Sequence, residues 1–144
     1  MKTVITRVKQ ASVSIKNREI EKINNGLLVL VGFTENDNET KIDYMVDKII
    51  NLRIFNDEQG QMNKSVQEIN GSILSISQFT LYADTKKGRR PSYQKALKSN
   101  EATKLYDIFN NKLKKHIDTK TGIFGEDMQV ESINDGPVTI IIEN

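Results

Sequence analysis

The 144-residue sequence contains no cysteine, which excludes disulfide bonds, thiolate zinc sites and a cysteine nucleophile. It also lacks a long hydrophobic run: the longest, at residues 27–31, is far too short to cross a bilayer, and the first residues show no signal-peptide pattern. We therefore expect a soluble cytoplasmic protein that does not associate with membranes. The length is typical of a single domain, here residues 1–144, that buries one continuous core.

Neither sign of charge dominates, because 21 Lys and Arg stand against 19 Asp and Glu. Any contact with nucleic acid must therefore come from a local cluster of cations. Histidine is equally scarce, and a Ser-His-Asp triad or a histidine metal site would have to be built around His116 alone. This residue follows a lysine-rich helical segment, where a cation favours the helix dipole. We interpret His116 as structural, and the sequence predicts no metal site and no cofactor.

Hydrophobic periodicity predicts an α+β domain built around a sheet or barrel. Residues 3–8 and 11–15 alternate like strands and are expected to form a hairpin, and residues 128–133 and 138–142 are expected to form a second one. The continuous apolar run at residues 27–33 is typical of a central strand covered on both faces. Residues 72–81 predict a further strand. Helical spacing predicts amphipathic helices over residues 39–52 and 99–117.

Polar residues interrupt the predicted strand at residues 72–81, where Ser77, Gln78 and Thr80 stand among apolar neighbours. Buried hydroxyl and amide groups destabilise a protein unless each finds a hydrogen-bond partner. Two explanations stay open at this point. Strand alternation directs Ser77 to solvent, or these side chains serve a function.

A second polar segment, Asn134-Asp135-Gly136-Pro137, has the composition of a tight turn. Glycine tolerates positive φ, and proline fixes its own φ while lacking a donor. A cis bond between Gly136 and Pro137 would instead present two neighbouring carbonyl oxygens on one side. The local sequence favours the ordinary turn, since few X-Pro bonds are cis.

A basic loop places four cations, Lys86, Lys87, Arg89 and Arg90, within five residues. Such a cluster can neutralise phosphates of a nucleic acid backbone without reading its bases. An ordinary solvated loop explains the same composition, because short basic runs are common.

Together these segments resemble the D-aminoacyl-tRNA deacylase family, and the resemblance runs through essentially the whole chain. It rests mainly on Ser-Gln-Phe-Thr-Leu at residues 77–81 and Asn-Asp-Gly-Pro-Val-Thr at residues 134–139. Supporting segments lie at residues 7–8, 11–13, 26–30, 48–55, 62–66, 82–85, 87–92 and 122–128. The sequence does not depart from the family at the motif positions.

The resemblance implies a compact β-barrel-like domain with flanking helices, the D-aminoacyl-tRNA deacylase-like fold, which forms a homodimer with active sites at the subunit interface. The implied activity is that of an editing hydrolase. It cleaves the ester of D-aminoacyl-tRNA and of mischarged glycyl-tRNA, and it rejects L-aminoacyl-tRNA.

By the same resemblance, Ser77, Gln78, Phe79 and Thr80 line the catalytic pocket for the terminal adenosine and the aminoacyl group. Thr80 is the candidate for covalent catalysis, but a hydroxyl without an adjacent base is a poor nucleophile. We therefore expect the 2′-hydroxyl of the terminal tRNA ribose to assist water, while main-chain N–H groups stabilise the oxyanion.

Chiral selection is implied for Gly136 and Pro137, which reach in from the partner subunit with a cis bond between them. Their carbonyl oxygens leave room for a hydrogen at the α-carbon but not for an L side chain. Arg7 resembles the residue that orients this motif, Met128 shapes the pocket, and Asn134 begins the motif.

Two other functions compete with the editing hydrolase. The first is an RNA-binding module without catalysis, in which the basic loop holds phosphates. The second is a structural dimerisation domain, in which the Gly-Pro segment is only a turn.

Overall fold

The computed structural model describes residues 1–16 and 18–144. Within these residues the chain forms eight strands, two α-helices and one 3₁₀-helix. Their bounds are β1 Lys2–Ile15, β2 Arg18–Ile23, β3 Gly26–Gly32, α1 Glu39–Asn51, β4 Phe55–Asn56, β5 Met62–Lys64, β6 Ser72–Ser77, the 3₁₀-helix Phe79–Tyr82, α2 Ser99–Lys114, β7 Thr119–Thr121 and β8 Gln129–Glu143.

The main sheet has the order β2-β1-β3-β6-β7. Strand β8 lies off this path and also pairs with β1. The pairs β3–β6 and β6–β7 are parallel, and the others are antiparallel. Strand β2 approaches β6 and β7, so this mixed sheet nearly closes into a barrel. Strands β3 and β6 approach closely at Gly26, where an added Cβ would lie 1.8 Å from the Ser72 carbonyl oxygen. The structure confirms a barrel-like α+β fold with two helices.

Both predicted helices form, because each offers an apolar stripe to the sheet. The Asn38 side chain caps α1 by accepting the Lys41 N–H at 3.1 Å. The buried side chains of α1 are Ile42, Met45, Val46, Ile49 and Ile50, which are the ones that its periodicity selects. In α2 the buried face includes Phe109 and Leu113. Neither helix combines the length and the apolar character that crossing a membrane requires.

Strand β3 is buried on both faces, as its continuous apolar sequence predicts. Leu27, Val29 and Val31 join the core cluster that contains the buried residues of α1 and α2. Leu28 belongs to a second cluster, together with residues of β1, β2 and β6. This central position makes β3 a fixed frame for the residues that follow its carboxyl end.

The two hairpin predictions at the chain ends were wrong. Residues 3–8 and 11–15 belong to one strand, β1, which forms a hairpin with β2. Residues 129–133 and 138–142 likewise belong to one strand, β8. Strands β1 and β8 pair with each other along most of their lengths, and two register shifts absorb the interruptions in alternation. A bulge and a hairpin turn use the same residue types, so composition alone could not separate them.

Candidate active site

A cleft of about 600 Å³ opens where β3 and β6 end. These two strands are parallel, so their carboxyl ends meet at the same edge of the sheet, a common location for ligand sites. Further walls come from the segment before α2 and from the segment between β7 and β8.

Ser77 is the last residue of β6, and it is half-buried in the cleft wall. The following residue, Gln78, donates its main-chain N–H to the Val31 carbonyl oxygen at 2.7 Å. The chain then enters the 3₁₀-helix, so the strand predicted to reach residue 81 ends four residues earlier. This change from strand to 3₁₀-helix brings the side chains of Ser77, Gln78 and Phe79 to the cleft.

Thr80 lies beside the cleft rather than in its wall, and its hydroxyl accepts a hydrogen bond from the Gln78 side-chain amide. Across residues 1–16 and 18–144, no carboxylate or imidazole hydrogen-bonds to the hydroxyl of Ser77 or Thr80. Neither hydroxyl therefore has the adjacent base that nucleophilic catalysis requires.

Tyr106 of α2 supports the cleft from behind, a role that its sequence position on an apolar helix face does not reveal. Its hydroxyl donates to the Ser75 carbonyl oxygen at 2.8 Å, and the same oxygen accepts the Gly122 N–H at 3.0 Å. Burial raises the pKa of Tyr106, so the hydroxyl stays protonated as a donor. Its ring also packs 5.8 Å from that of Phe124 in the cleft wall.

Opposite Arg7, strand β8 bulges out of its ladder with β1. Thr6 pairs with Thr139 and Val8 pairs with Asn134, so residues 135–138 stand opposite one residue of β1. Bulges of this kind redirect groups on a strand and are frequent near active sites. The bulge contains Gly136 and Pro137, and the bond between them is cis.

Glycine is the residue that position 136 accepts. Its φ of +120° lies where L side chains are rarely found. An added Cβ would lie 2.8 Å from Val138 Cγ2 and 3.0 Å from Arg7 Nη2.

The Arg7 side chain, which is 8% exposed, joins the bulge to Ile54, just before β4, and to Asn56 in the β4–β5 hairpin. Its Nη1 donates to the Ile54 carbonyl oxygen at 2.6 Å, and its Nε donates to the Asp135 carbonyl oxygen at 3.2 Å. The Asp135 carboxylate lies 3.1 Å from Nε and balances the charge. A buried guanidinium with these partners is a rigid brace beside Gly136.

The expected site residues thus fall into two groups within one chain. Ser77, Gln78, Phe79 and Met128 line the cleft. Asn134, which ends the ladder before the bulge, the bulge residues Gly136 and Pro137, and their brace Arg7 do not line it. His116 also lies outside the cleft, in a smaller groove between α1 and α2.

The four cations of the basic loop are exposed. None of them lies within 4.0 Å of a carboxylate in the part of the chain that the structure describes. Main-chain hydrogen bonds of 2.8 and 2.9 Å between Asp84 and Ser92 close the base of this loop. The Lys86 N–H donates to the Asp84 carboxylate and lowers its pKa.

Within the described ranges, no group of three His, Cys, Asp or Glu side chains is placed to hold a metal ion.

Residues 4–143 match the family model described as D-Tyr-tRNA(Tyr) deacylase. The chain belongs to this family. Its members are hydrolases that edit aminoacyl-tRNA.

Two solved structures are similar to this chain over nearly its whole length. One, of "c-Myc DNA Unwinding Element Binding Protein", is 40% identical, with a TM-score of 0.95 and coverage of 100% of this chain and 99% of that chain. Another, of "a probable eukaryotic D-amino acid tRNA deacylase", shares the fold at 16% identity, with a TM-score of 0.82 and coverage of 98% and 97%.

Replacing Arg7 by Met should lower the free energy of unfolding by about 2–4 kcal/mol, because the buried carbonyl of Ile54 loses its charged donor. Urea unfolding measures the difference. The control is Lys9→Met, since Lys9 is exposed and lies 3.9 Å from Asp135; that change should cost no more than about 0.5 kcal/mol. Equal midpoints for both variants would contradict the role of Arg7 as a brace.

Proposed function

We propose that this deacylase, acting in the cytoplasm, removes D-amino acids and mischarged glycine from tRNA at sites that two copies of the chain complete together. The separation of the cleft from the Gly136-Pro137 bulge within one chain carries this proposal. A homodimer in which the bulge of one subunit enters the cleft of the other unites the two groups of residues.

The outer edge of β8 supports a second copy as the occupant of this surface. Within the described residues β8 pairs only with β1, which leaves one edge of a 15-residue strand free. Ile133 and Ile141 on this strand are 56% and 66% exposed. A long apolar edge favours pairing with another chain, and the bulge lies on this same strand.

In the proposed site, the bulge excludes L side chains by steric contact. The carbonyl oxygens of Gly136 and Pro137 face the substrate α-carbon and leave space for a hydrogen only. Glycine has no side chain to exclude, so glycyl-tRNA is also a substrate. The hydrogen bonds of Arg7 to Asp135 and Ile54 support this selection. They hold the bulge rigid, and only a rigid bulge can exclude L side chains.

We propose that catalysis is assisted by the substrate. The terminal ribose 2′-hydroxyl positions or activates the attacking water, while residues 77–80 orient the ester and donate hydrogen bonds to the oxyanion. Thr80 supports this assignment because its hydroxyl is bonded to the Gln78 amide, which takes no proton. An aminoacyl ester is already activated, so modest oxyanion stabilisation suffices.

The basic loop, with Lys86, Lys87, Arg89 and Arg90, is assigned to phosphates of the bound tRNA. Its exposure and its lack of carboxylate partners among the described residues support this assignment. The same loop, and the relative named as a DNA unwinding element binding protein, favour a second candidate: a nucleic-acid-binding protein without catalysis. Cleavage of an aminoacyl ester discriminates between the two.

Purified protein should cleave D-tyrosyl-tRNA at least about tenfold faster than L-tyrosyl-tRNA, a difference of about 1.4 kcal/mol. Loss of each ester is followed over time, with and without a chelator, and the chelator should change neither rate. If both esters remain, the binding function takes precedence. If both are cleaved equally, chiral selection at the bulge is wrong.

Thr80→Ala should keep single-turnover cleavage within about tenfold of wild type, since the threonine is not the nucleophile. A D-tyrosyl-tRNA whose terminal adenosine lacks the 2′-hydroxyl should instead react at least about 100-fold more slowly. The mechanism fails if Thr80→Ala abolishes cleavage with tRNA binding intact while the 2′-deoxy substrate reacts normally.

A further inference from the structure

Tyr93 is an exposed aromatic residue at the rim of the cleft, and the mechanism above does not use it. Its side chain lines the cleft, yet 40% of the residue remains exposed. The Tyr93 and Phe79 rings pack in a T-shaped arrangement, with centroids 5.1 Å apart and an angle of 70° between their planes. Phe79 thereby contacts one part of the tyrosine ring, while another part remains accessible.

The backbone fixes Tyr93 from both sides. The preceding residue, Ser92, is tied to Asp84 by the two hydrogen bonds that close the basic loop. The Tyr93 carbonyl oxygen accepts the Ala96 N–H at 3.0 Å, and the Leu97 N–H donates to the Phe33 carbonyl oxygen at 2.9 Å. A ligand that stacks here meets a platform whose main chain is already ordered, which lowers the entropic cost of binding.

The chain segment that leads to Tyr93 is positively charged. The last cation of the basic loop, Arg90, lies three residues before Tyr93, and the four cations are exposed without carboxylate partners in the part of the chain described. A fixed aromatic ring next to a row of cations is the arrangement by which proteins hold single-stranded nucleic acid, with a base on the ring and phosphates on the cations.

We propose that Tyr93 stacks against the unpaired tRNA base that directly precedes the esterified adenosine, while the basic loop holds the adjoining phosphates. This rests on the proposed function, in which the cleft takes the terminal adenosine and its ester beside Ser77 and Gln78. Since Tyr93 stands at the rim of that cleft, the next nucleotide leaves the cleft across its ring. Tyr93 is thus a substrate-binding residue that contacts the single-stranded end of the tRNA.

The test compares Tyr93→Leu with wild type on two D-tyrosyl-tRNAs, one intact and one with an abasic sugar before the terminal adenosine. On intact substrate Tyr93→Leu should raise KM between about 5-fold and about 160-fold, the range for loss of one stacked base. On the abasic substrate it should raise KM less than about twofold, because the stacking partner is already absent. Tyr93→Phe, which keeps a ring, should lose far less than Tyr93→Leu on the intact substrate.

Tyr44→Leu is the matched control, because Tyr44 is 47% exposed on α1 and outside the cleft. It should not change KM for either substrate. An equal rise in KM for both substrates in Tyr93→Leu would overturn the stacking proposal. A change of oligomeric state in Tyr93→Leu, measured by sedimentation, would also overturn it, because a second copy would then cover the ring.

The same comparison of Tyr93→Leu with wild type is made by measuring the equilibrium affinity for the two uncharged tRNAs, which involves no ester cleavage. If wild type cleaves no D-tyrosyl-tRNA, the proposed function fails. Even then, stacking is supported if both Tyr93→Leu and removal of the base weaken the binding of uncharged tRNA. It is contradicted if either change leaves the affinity as it was.

Discussion

The antiparallel pairing of β1 with β8 is the interaction on which the arrangement of the site depends. It holds the two longest strands together and is interrupted where residues 135–138 of β8 bulge opposite Arg7. The ladder fixes both ends of the bulge, so Gly136 and Pro137 are presented at a defined place instead of on a free loop. The parallel pairing of β3 with β6 does the same for Ser77 at the cleft. Each motif is therefore positioned by a different pair of strands.

Arg7 shows how the fold stabilises this arrangement. Burying a guanidinium is unfavourable unless its charge and its donors are matched, and here the Asp135 carboxylate and two carbonyl oxygens provide the match. The same contacts connect the β4–β5 hairpin to the bulge, so the β4–β5 hairpin serves as an external support for it. Tyr106 plays a comparable part behind the cleft, where its hydroxyl holds the Ser75 carbonyl oxygen. The Arg7–Ile54 and Tyr106–Ser75 hydrogen bonds are both buried, where the low dielectric strengthens them.

Sequence patterns predicted the elements whose signals are local. Both helices and the two-sided burial of β3 follow from periodicity. Ser77, Gln78 and Phe79 line the cleft, but only the family resemblance had singled them out, and their roles stay a prediction. The patterns failed where distant pairing decides the outcome. Residues 134–137 have turn chemistry, but β1 pairs with the residues on both sides and keeps β8 one strand. Tyr93 and Tyr106 carry no motif, since their positions depend on loop closure and helix packing. The separation of cleft and bulge is likewise visible only in three dimensions.

Subunit mixing tests most directly whether two chains build each site. One subunit carries Ala96→Trp to fill the cleft, and the other carries Gly136→Ala, whose Cβ would displace the bulge from Val138 and Arg7. The two parents are assayed alone, and mixed dimers are isolated with two affinity tags and assayed with D- and L-tyrosyl-tRNA. If two chains build each site, the Ala96→Trp parent should be inactive and the Gly136→Ala parent should discriminate poorly between the two esters. Mixed dimers should regain wild-type discrimination, because one of their two sites combines an intact cleft with the partner's intact bulge. Mixed dimers that discriminate as poorly as the Gly136→Ala parent would contradict a site built from two chains.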